Sequence, residues 1–406
     1  MEKTTLNIKR NLKPKSANSQ QIAVFGTARS GKTTLLSAFY GATQEPNYVL
    51  QKPYAVIAEN QGEAAQLYHN YTTLRDTGAY PAVTTHLNMN AHAFTIRLRE
   101  ESQQQTVTAP GSLFSKRKKN LPANPASEKP FDAMRLVWHD YPGEWLEEPA
   151  ANAAEARHRG EVFRSLLGSQ VALLLVDGAK LQQHKGEEAV YLQQLLNTYI
   201  SGLLQVRDEV LPNGKPLLEF PRIWIFALTK ADLLPAIDVY QFKQLLLKNA
   251  ASQLTDLRET IESFIQTREA LSVGEDFLLL SAAQHNHGVE ILLPLAAILP
   301  FERHAKWAKR LNLPGTFSSL LIQGASVAAL ALMSGKIKIL PAPLRWGLSL
   351  LGSAGVERGI KHLGTKLKDH SAISKKRAKL LSNALQGFYA DLAAAERARV
   401  FLRSKS

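Results

Sequence analysis

Gly26-Thr27-Ala28-Arg29-Ser30-Gly31-Lys32-Thr33 is the stretch on which the fold turns. It matches G-x-x-x-x-G-K-[ST], and it sits where that string has a physical meaning, between a short apolar run at 21–25 and a helical pattern at 32–40. Glycines let such a loop wrap closely around phosphate groups, and its backbone N–H groups together with the following helix N-terminus supply a positive field. Gly26, Thr27, Ala28, Arg29, Ser30, Gly31, Lys32, Thr33 and Thr34 are therefore the expected phosphate-binding residues. Lys32 would hold the β- and γ-phosphates, and the Thr33 hydroxyl would ligate Mg2+.

Working outward, β-rich apolar runs recur at 93–98, 134–139, 171–176, 223–228 and 277–280. Helical patterns lie between most of them, at 61–74, 151–167, 187–206 and 239–269, the last broken near Thr255. Alternation of this kind predicts an α/β fold: a P-loop NTPase domain on a mostly parallel six-stranded sheet, followed by an all-helical C-terminal region. The expected division is a basic N-terminal tail at 1–20, a nucleotide-binding domain at 21–300 with insertions at 44–83 and 100–130, and a basic helical region at 301–406. The 100–130 insertion, rich in Pro and Asn and without periodicity, reads as a mobile surface segment.

Length and charge agree with this division. At 406 residues the chain exceeds the usual domain of about 100–200 residues. The absence of cysteine excludes a disulfide framework, a thiolate zinc site and a cysteine nucleophile, and suits a reducing cytosol. No apolar h-region precedes Ile22, so the N-terminus does not read as a secretory signal. The net charge of +14 is local: residues 1–300 carry 30 Lys and Arg against 30 Asp and Glu, whereas residues 301–406 carry 19 against 5.

Three further strings follow the loop in order. Asp140-Tyr141-Pro142-Gly143 ends the third run, with Asp140 where a metal-organising acid belongs and Gly143 within reach of a γ-phosphate. Thr229-Lys230-Ala231-Asp232 ends the fifth run and Ser281-Ala282-Ala283 the sixth. These resemble the base-recognition elements of translation-factor-class (TRAFAC) GTPases. The resemblance implies that the Asp232 carboxylate accepts from guanine N1–H and the 2-amino group, that the Lys230 stem covers the ring, and that the Ala282 N–H donates to O6. Thr229 replaces the commoner asparagine, a change that would weaken the tie to the phosphate loop. Singly, T-K-x-D also reads as a helix start capped by Asp232, and S-A-A is too short to stand alone; their order along the chain carries the reading. Arg29 through Thr33, Asp140-Tyr141-Pro142-Gly143-Glu144-Trp145-Leu146 and Thr229 through Asp232 together resemble the YcjX-like bacterial P-loop GTPase family over residues 20–300, with a different C-terminus.

Candidate catalytic residues are Lys32, Arg29 and Glu144. Glu144 follows the D-x-x-G glycine, where Ras-like enzymes carry a water-positioning glutamine; its other reading is a helix-start carboxylate favoured by the dipole. Arg29 stands where guanylate-binding proteins and atlastins use an arginine in cis on transition-state charge; its other reading is a solvent-facing arginine. A second magnesium hydroxyl would come from Thr84 or Thr85, with the choice between them open. No H-E-x-x-H occurs; His285 and His287 read as surface-turn residues and His139 as a packed histidine.

The basic region keeps three readings. The uncharged run at 311–335 is long enough to span a bilayer, which takes about 20 apolar residues, but it is diluted by Ser, Gly and Gln323. With the second run at 339–356 it forms an apolar hairpin, 311–356, flanked by cations that suit an anionic membrane surface. The alternatives are a soluble helical domain that buries these runs against the closing helix and, least favoured, nucleic-acid binding; a protein partner docking on residues 301–406 is a further candidate. The expected function is a GTP-hydrolysing, Mg2+-dependent switch exchanging GTP and GDP in the cytoplasm, peripheral on the inner face of the membrane through residues 301–406, with a nucleotide-dependent homodimer as a candidate assembly. A GTP-binding scaffold without turnover and an ATPase are the alternatives.

Overall fold

The computed structural model describes residues 19–79, 90–98, 131–211, 214–217, 222–266, 268–283, 288–310 and 375–404. In chain order the elements are β1 (Ser19–Phe25), α1 (Lys32–Gln44), α2 (Pro46–Gln51), β2 (Tyr54–Ala58), α3 (Gln61–Thr77), β3 (Asn90–Leu98), β4 (Phe131–Asp140), a 3-10 turn at Gly143–Leu146, α4 (Ala153–Leu166), β5 (Val171–Asp177), α5 (Gly178–Gln183), α6 (Glu188–Val210), β6 (Ile223–Thr229), a second 3-10 turn at Ala231–Leu233, α7 (Val239–Glu262), β7 (Ser272–Leu279), α8 (Leu292–Arg310), α9 (Lys375–Arg397) and β8 (Phe401–Leu402).

The continuous apolar runs of β5 and β6 bury every residue, as strands covered on both faces must. They lie at the centre of one sheet ordered β2-β3-β4-β1-β5-β6-β7-β8. Neighbours from β4 to β7 run parallel. β3 is antiparallel to both β2 and β4, and β8 is antiparallel to β7. The expected six-stranded, mostly parallel sheet is thus an eight-stranded mixed one. β2 was hidden because five residues of alternating burial at a sheet edge give little local signal. β8, inside the region expected to be all helical, is two residues long and its pairing is wholly long-range.

Helices α1, α3, α8 and α9 pack on one face and α4, α6 and α7 on the other. The observed bounds of α1, α3, α4 and α6 follow the periodic patterns closely, whereas α7 ends at Glu262, short of the expected 269, and α8 lay outside the expected helices. The break in α7 falls at Ala250 (φ −146, ψ 34) rather than near Thr255, where the Gln193 side chain from α6 donates to the Asn249 carbonyl at 2.8 Å and enters the helix ladder. Helix α8 runs through position 300, and the elements after it return to the sheet. α9 buries Leu381, Leu385, Phe388 and Leu392 in the α1 and α8 layer. Its Asp391 meets Lys52 at 2.7 Å, beside the β2 edge. At the other edge Arg303 pairs with the buried Asp276 at 2.7 Å, and Ser404 N–H donates to the same carboxylate at 2.8 Å. Burial raises the Asp276 carboxyl above its ordinary value, and Arg303 opposes that rise.

No helix among the described residues is long and apolar enough to cross a membrane. The expected hairpin 311–356 and the 100–130 insertion lie outside the described residues.

Because β1 has β4 on one side and β5 on the other, the connections at its carboxyl end leave in opposite directions. In open α/β sheets that divergence opens the crevice in which ligands bind.

Candidate functional site

Residues 26–33 form the turn at that crevice. Gly31 takes φ +97, which suits glycine and strains any other residue, and Gly26 packs so closely on Ser30 that a Cβ there would stand 2.3 Å from its Oγ. Arg29 also adopts a left-handed conformation, φ +60, which costs a side-chain-bearing residue about 1 kcal/mol or more. Its side chain is exposed. Lys32 opens α1 with its side chain buried, donating to the Gly26 carbonyl at 2.8 Å and the Thr27 carbonyl at 3.0 Å. Its ammonium also lies 5.2 Å from the centre of the Tyr141 ring. Burial lowers the Lys32 pKa to about 8, against the opposing pull of Asp140, Glu144 and Glu147. Thr34 sits half-buried in the first helical turn.

The end of β4 comes alongside because β4 pairs with β1, His139 opposite Ala23. Thr33 Oγ1 donates to Asp140 Oδ2 at 2.8 Å. Gly26 N–H donates to the Tyr141 hydroxyl at 3.1 Å, and burial keeps that phenol neutral by pushing it well above the usual range. Ala28 N–H donates to Glu147 Oε2 at 3.0 Å. Gly143 lies against the turn itself: a Cβ there would stand 2.4 Å from Ala28 N and from the Thr27 carbonyl carbon. Glu144 follows in the 3-10 turn, and its buried Oε2 has no hydrogen-bond partner among the described residues. His139 behaves as a packed histidine, its imidazole lowered to about 4 by burial, with smaller contributions from His92 and Arg135.

From the other side come the ends of β6 and β7. Thr229 Oγ1 lies 2.9 Å from the Ser30 carbonyl and 3.2 Å from the Val176 carbonyl, one donor shared between two acceptors. The threonine thus ties the end of β6 to the phosphate loop directly. Lys230, at φ +52, extends its ammonium to the Arg29 carbonyl at 3.1 Å and to Asp177 Oδ2 at 2.7 Å. Asp232 Oδ1 accepts from Ser281 Oγ at 2.7 Å, and Ala231 N–H donates to the Leu280 carbonyl at 3.1 Å. Ala282 is partly buried against the core and Ala283 is exposed.

The strings at the ends of β1, β4, β6 and β7 therefore meet in one place. Thr84, Thr85, His285 and His287 lie outside the described residues. Sequence reading missed Asp177, Tyr141 and Glu147. Asp177 carried a signal, being an acid that closes an otherwise apolar strand; Tyr141 and Glu147 stood in and beside a string already singled out for Asp140 and Gly143.

No family model matches this chain, and no curated protein does. Among solved structures, the Roco2 RocCORdC of Methanosarcina barkeri bound to GDP aligns over 92% of this chain and 68% of its own, at 11% identity and a TM-score of 0.24. The cytosolic domain of the T. maritima FeoB iron transporter in its GMPPNP form aligns over 91% of this chain and 98% of its own, at 11% identity and a TM-score of 0.25. Neither likeness is close enough to bear on the chemistry of the site.

Proposed function

We propose that this chain binds GTP and GDP at the carboxyl end of β1 and hydrolyses GTP as a nucleotide-dependent switch. One observation carries the reading: Thr229 and the phosphate loop, 199 residues apart in sequence, are hydrogen-bonded, so the loop bearing Asp232 stands beside the loop bearing Lys32. A carboxylate in that position selects guanine by its N1–H and 2-amino donors, a pair that adenine does not offer. Lys230, held between the Arg29 carbonyl and Asp177, would lay its stem along the ring.

The residues present fit Mg2+. Thr33 Oγ1 and Asp140 Oδ2 are hard oxygen donors 2.8 Å apart, and this ion is commonly held by one or two protein oxygens plus substrate phosphates. When bound it would neutralise charge on the β- and γ-oxygens. Lys32 would turn from the Gly26 and Thr27 carbonyls to the phosphates, and Gly143 N–H would meet the γ-phosphate. The unpartnered Glu144 oxygen would orient the attacking water, and the exposed Arg29 would neutralise transition-state charge. The likeness of residues 140–146 to the YcjX-like family belongs to the same reading, as does a peripheral membrane role for residues 301–406.

A second reading, binding without turnover, is favoured by a carboxylate at Glu144 where Ras-like enzymes carry a neutral amide. Calorimetry with GDP and ADP, beside GTP turnover for the wild type, Arg29→Ala and Glu144→Ala, separates the two. GDP is expected to bind in strong preference to ADP, with the preference lost in Asp232→Ala, and turnover is expected to fall at least tenfold in each catalytic variant. Equal binding of ADP sinks the guanine reading, and a wild type no faster than buffer leaves only the second.

A further inference from the structure

The loops that would read the base are joined to the last described residues of the chain as well as to the phosphate loop. β8 lies antiparallel to β7, with Leu402 opposite Phe277 and Phe401 opposite Leu278. Just before it, the Val400 carbonyl accepts from Leu279 N–H at 2.8 Å. Leu279 is the last residue of β7, and Ser281, whose hydroxyl holds Asp232, follows almost at once. The return from the Ser281 loop is pressed against the same seam, since a Cβ on Gly288 would stand 2.0 Å from the Leu279 carbonyl oxygen and 3.2 Å from Val400 Cγ1.

Arg399 reaches the second loop. Its carbonyl accepts from Val239 N–H at 3.0 Å. Its guanidinium meets Asp238 Oδ2 at 2.8 Å and lies 5.7 Å from the centre of the Tyr240 ring. Asp238 caps α7, the helix into which the Asp232 loop runs. Arg399 adopts φ +57, a reversal that turns successive carbonyls of one short peptide toward two different elements. Residues 399–402 thus stitch the start of α7 to the end of β7, and each of those points lies a few residues from a base-reading side chain.

We infer that residues 399–402 are a positioning brace for the purine site, setting the spacing of the Asp232 and Ser281 loops and thereby the discrimination between guanine and related bases. The inference rests on the guanine-binding reading above. A carboxylate that takes two donors from one ring edge is sensitive to small rotations, and splayed loops lose the second hydrogen bond before the first. Hypoxanthine keeps N1–H but lacks the 2-amino group. The ratio of GDP to IDP affinity therefore reports that geometry, while pyrophosphate binding reports the phosphate loop alone.

The experiment is calorimetry with GDP, IDP and pyrophosphate on the full chain, on a chain ending at Ala398 and on Arg399→Ala. The wild type is expected to prefer GDP over IDP by about tenfold or more, the scale of one hydrogen bond to a charged group. In the shortened chain that preference should shrink to within about threefold while pyrophosphate binding stays unchanged, with Arg399→Ala moving the same way by less. A folded shortened chain that keeps the full preference overturns the brace. Where circular dichroism shows the shortened chain unfolded, Arg399→Ala decides, and an unchanged ratio there overturns it too. A wild type indifferent between GDP and IDP is a separate result, removing the guanine reading and the brace together.

Discussion

Lys32 combines burial with a charge, and the two requirements oppose each other. Its folded pKa of about 8 lies below the ordinary 10.5. Below pH 8 the ammonium is protonated in both states and the burial penalty is fully present. Between 8 and 10.5 the unfolded chain binds more protons, so stability rises with pH and the penalty, roughly 3 kcal/mol, is relieved. Lys32→Met removes that penalty but takes the ammonium donor away from the Gly26 and Thr27 carbonyls, of which Thr27 keeps the Ser30 N–H at 3.3 Å. The variant should be about 1–2 kcal/mol more stable than the wild type at pH 7, with the advantage gone near pH 10.5. Thermal melts at the two pH values check the sign, and the same variant should bind neither GDP nor GTP. At this scale the sequence singles out residues whose type and spacing phosphate would dictate, Gly26, Gly31, Lys32 and Thr33, and the structure sets all four in or beside one turn at the end of β1. Sequence reading missed those defined by what folds against them. Asp177 gains meaning only through Lys230, and Tyr141 only through the Gly26 N–H.

Elements follow the same division. Helices α1, α3, α4 and α6 were legible because an amphipathic period repeats over several turns, and the central strands were legible as unbroken apolar runs. The kink in α7 was displaced because a side chain from a neighbouring helix makes it, and β2 and β8 were invisible because their partners are distant in sequence. How closely two elements approach is likewise a tertiary property. Gly41 on α1 touches α3 so nearly that a Cβ would fall 2.0 Å from Tyr71 Cγ. Gly41→Ala must push α3 away or rotate a buried ring, and a loss of about 1–3 kcal/mol is expected in thermal or denaturant unfolding. A change within about 0.5 kcal/mol would show that the crossing yields more readily than its spacing implies.

Across the whole molecule, α9 and β8 behave as parts of the sheet layer and not as an appendage. α9 is fixed near the β2 edge by Lys52 with Asp391 and by the Tyr54 and Phe388 rings, 5.1 Å between centres, while β8 completes the β7 edge. A chain ending at Arg310 should therefore expose the apolar surface that α9 covers and aggregate. A chain in which residues 311–374 are replaced by a flexible linker of about 20 residues should stay soluble and bind GDP as the wild type does. Gel filtration and calorimetry on the pair test this, and a soluble, monodisperse chain ending at Arg310 would falsify it. The arrangement also means that residues 375–404 are held to the rest of the protein by packing and strand pairing as well as by the peptide backbone. A proteolytic nick anywhere within residues 311–374 would yield two polypeptides that remain associated, the smaller one donating its strand in trans, and only a denaturant would reveal that the backbone had been cut.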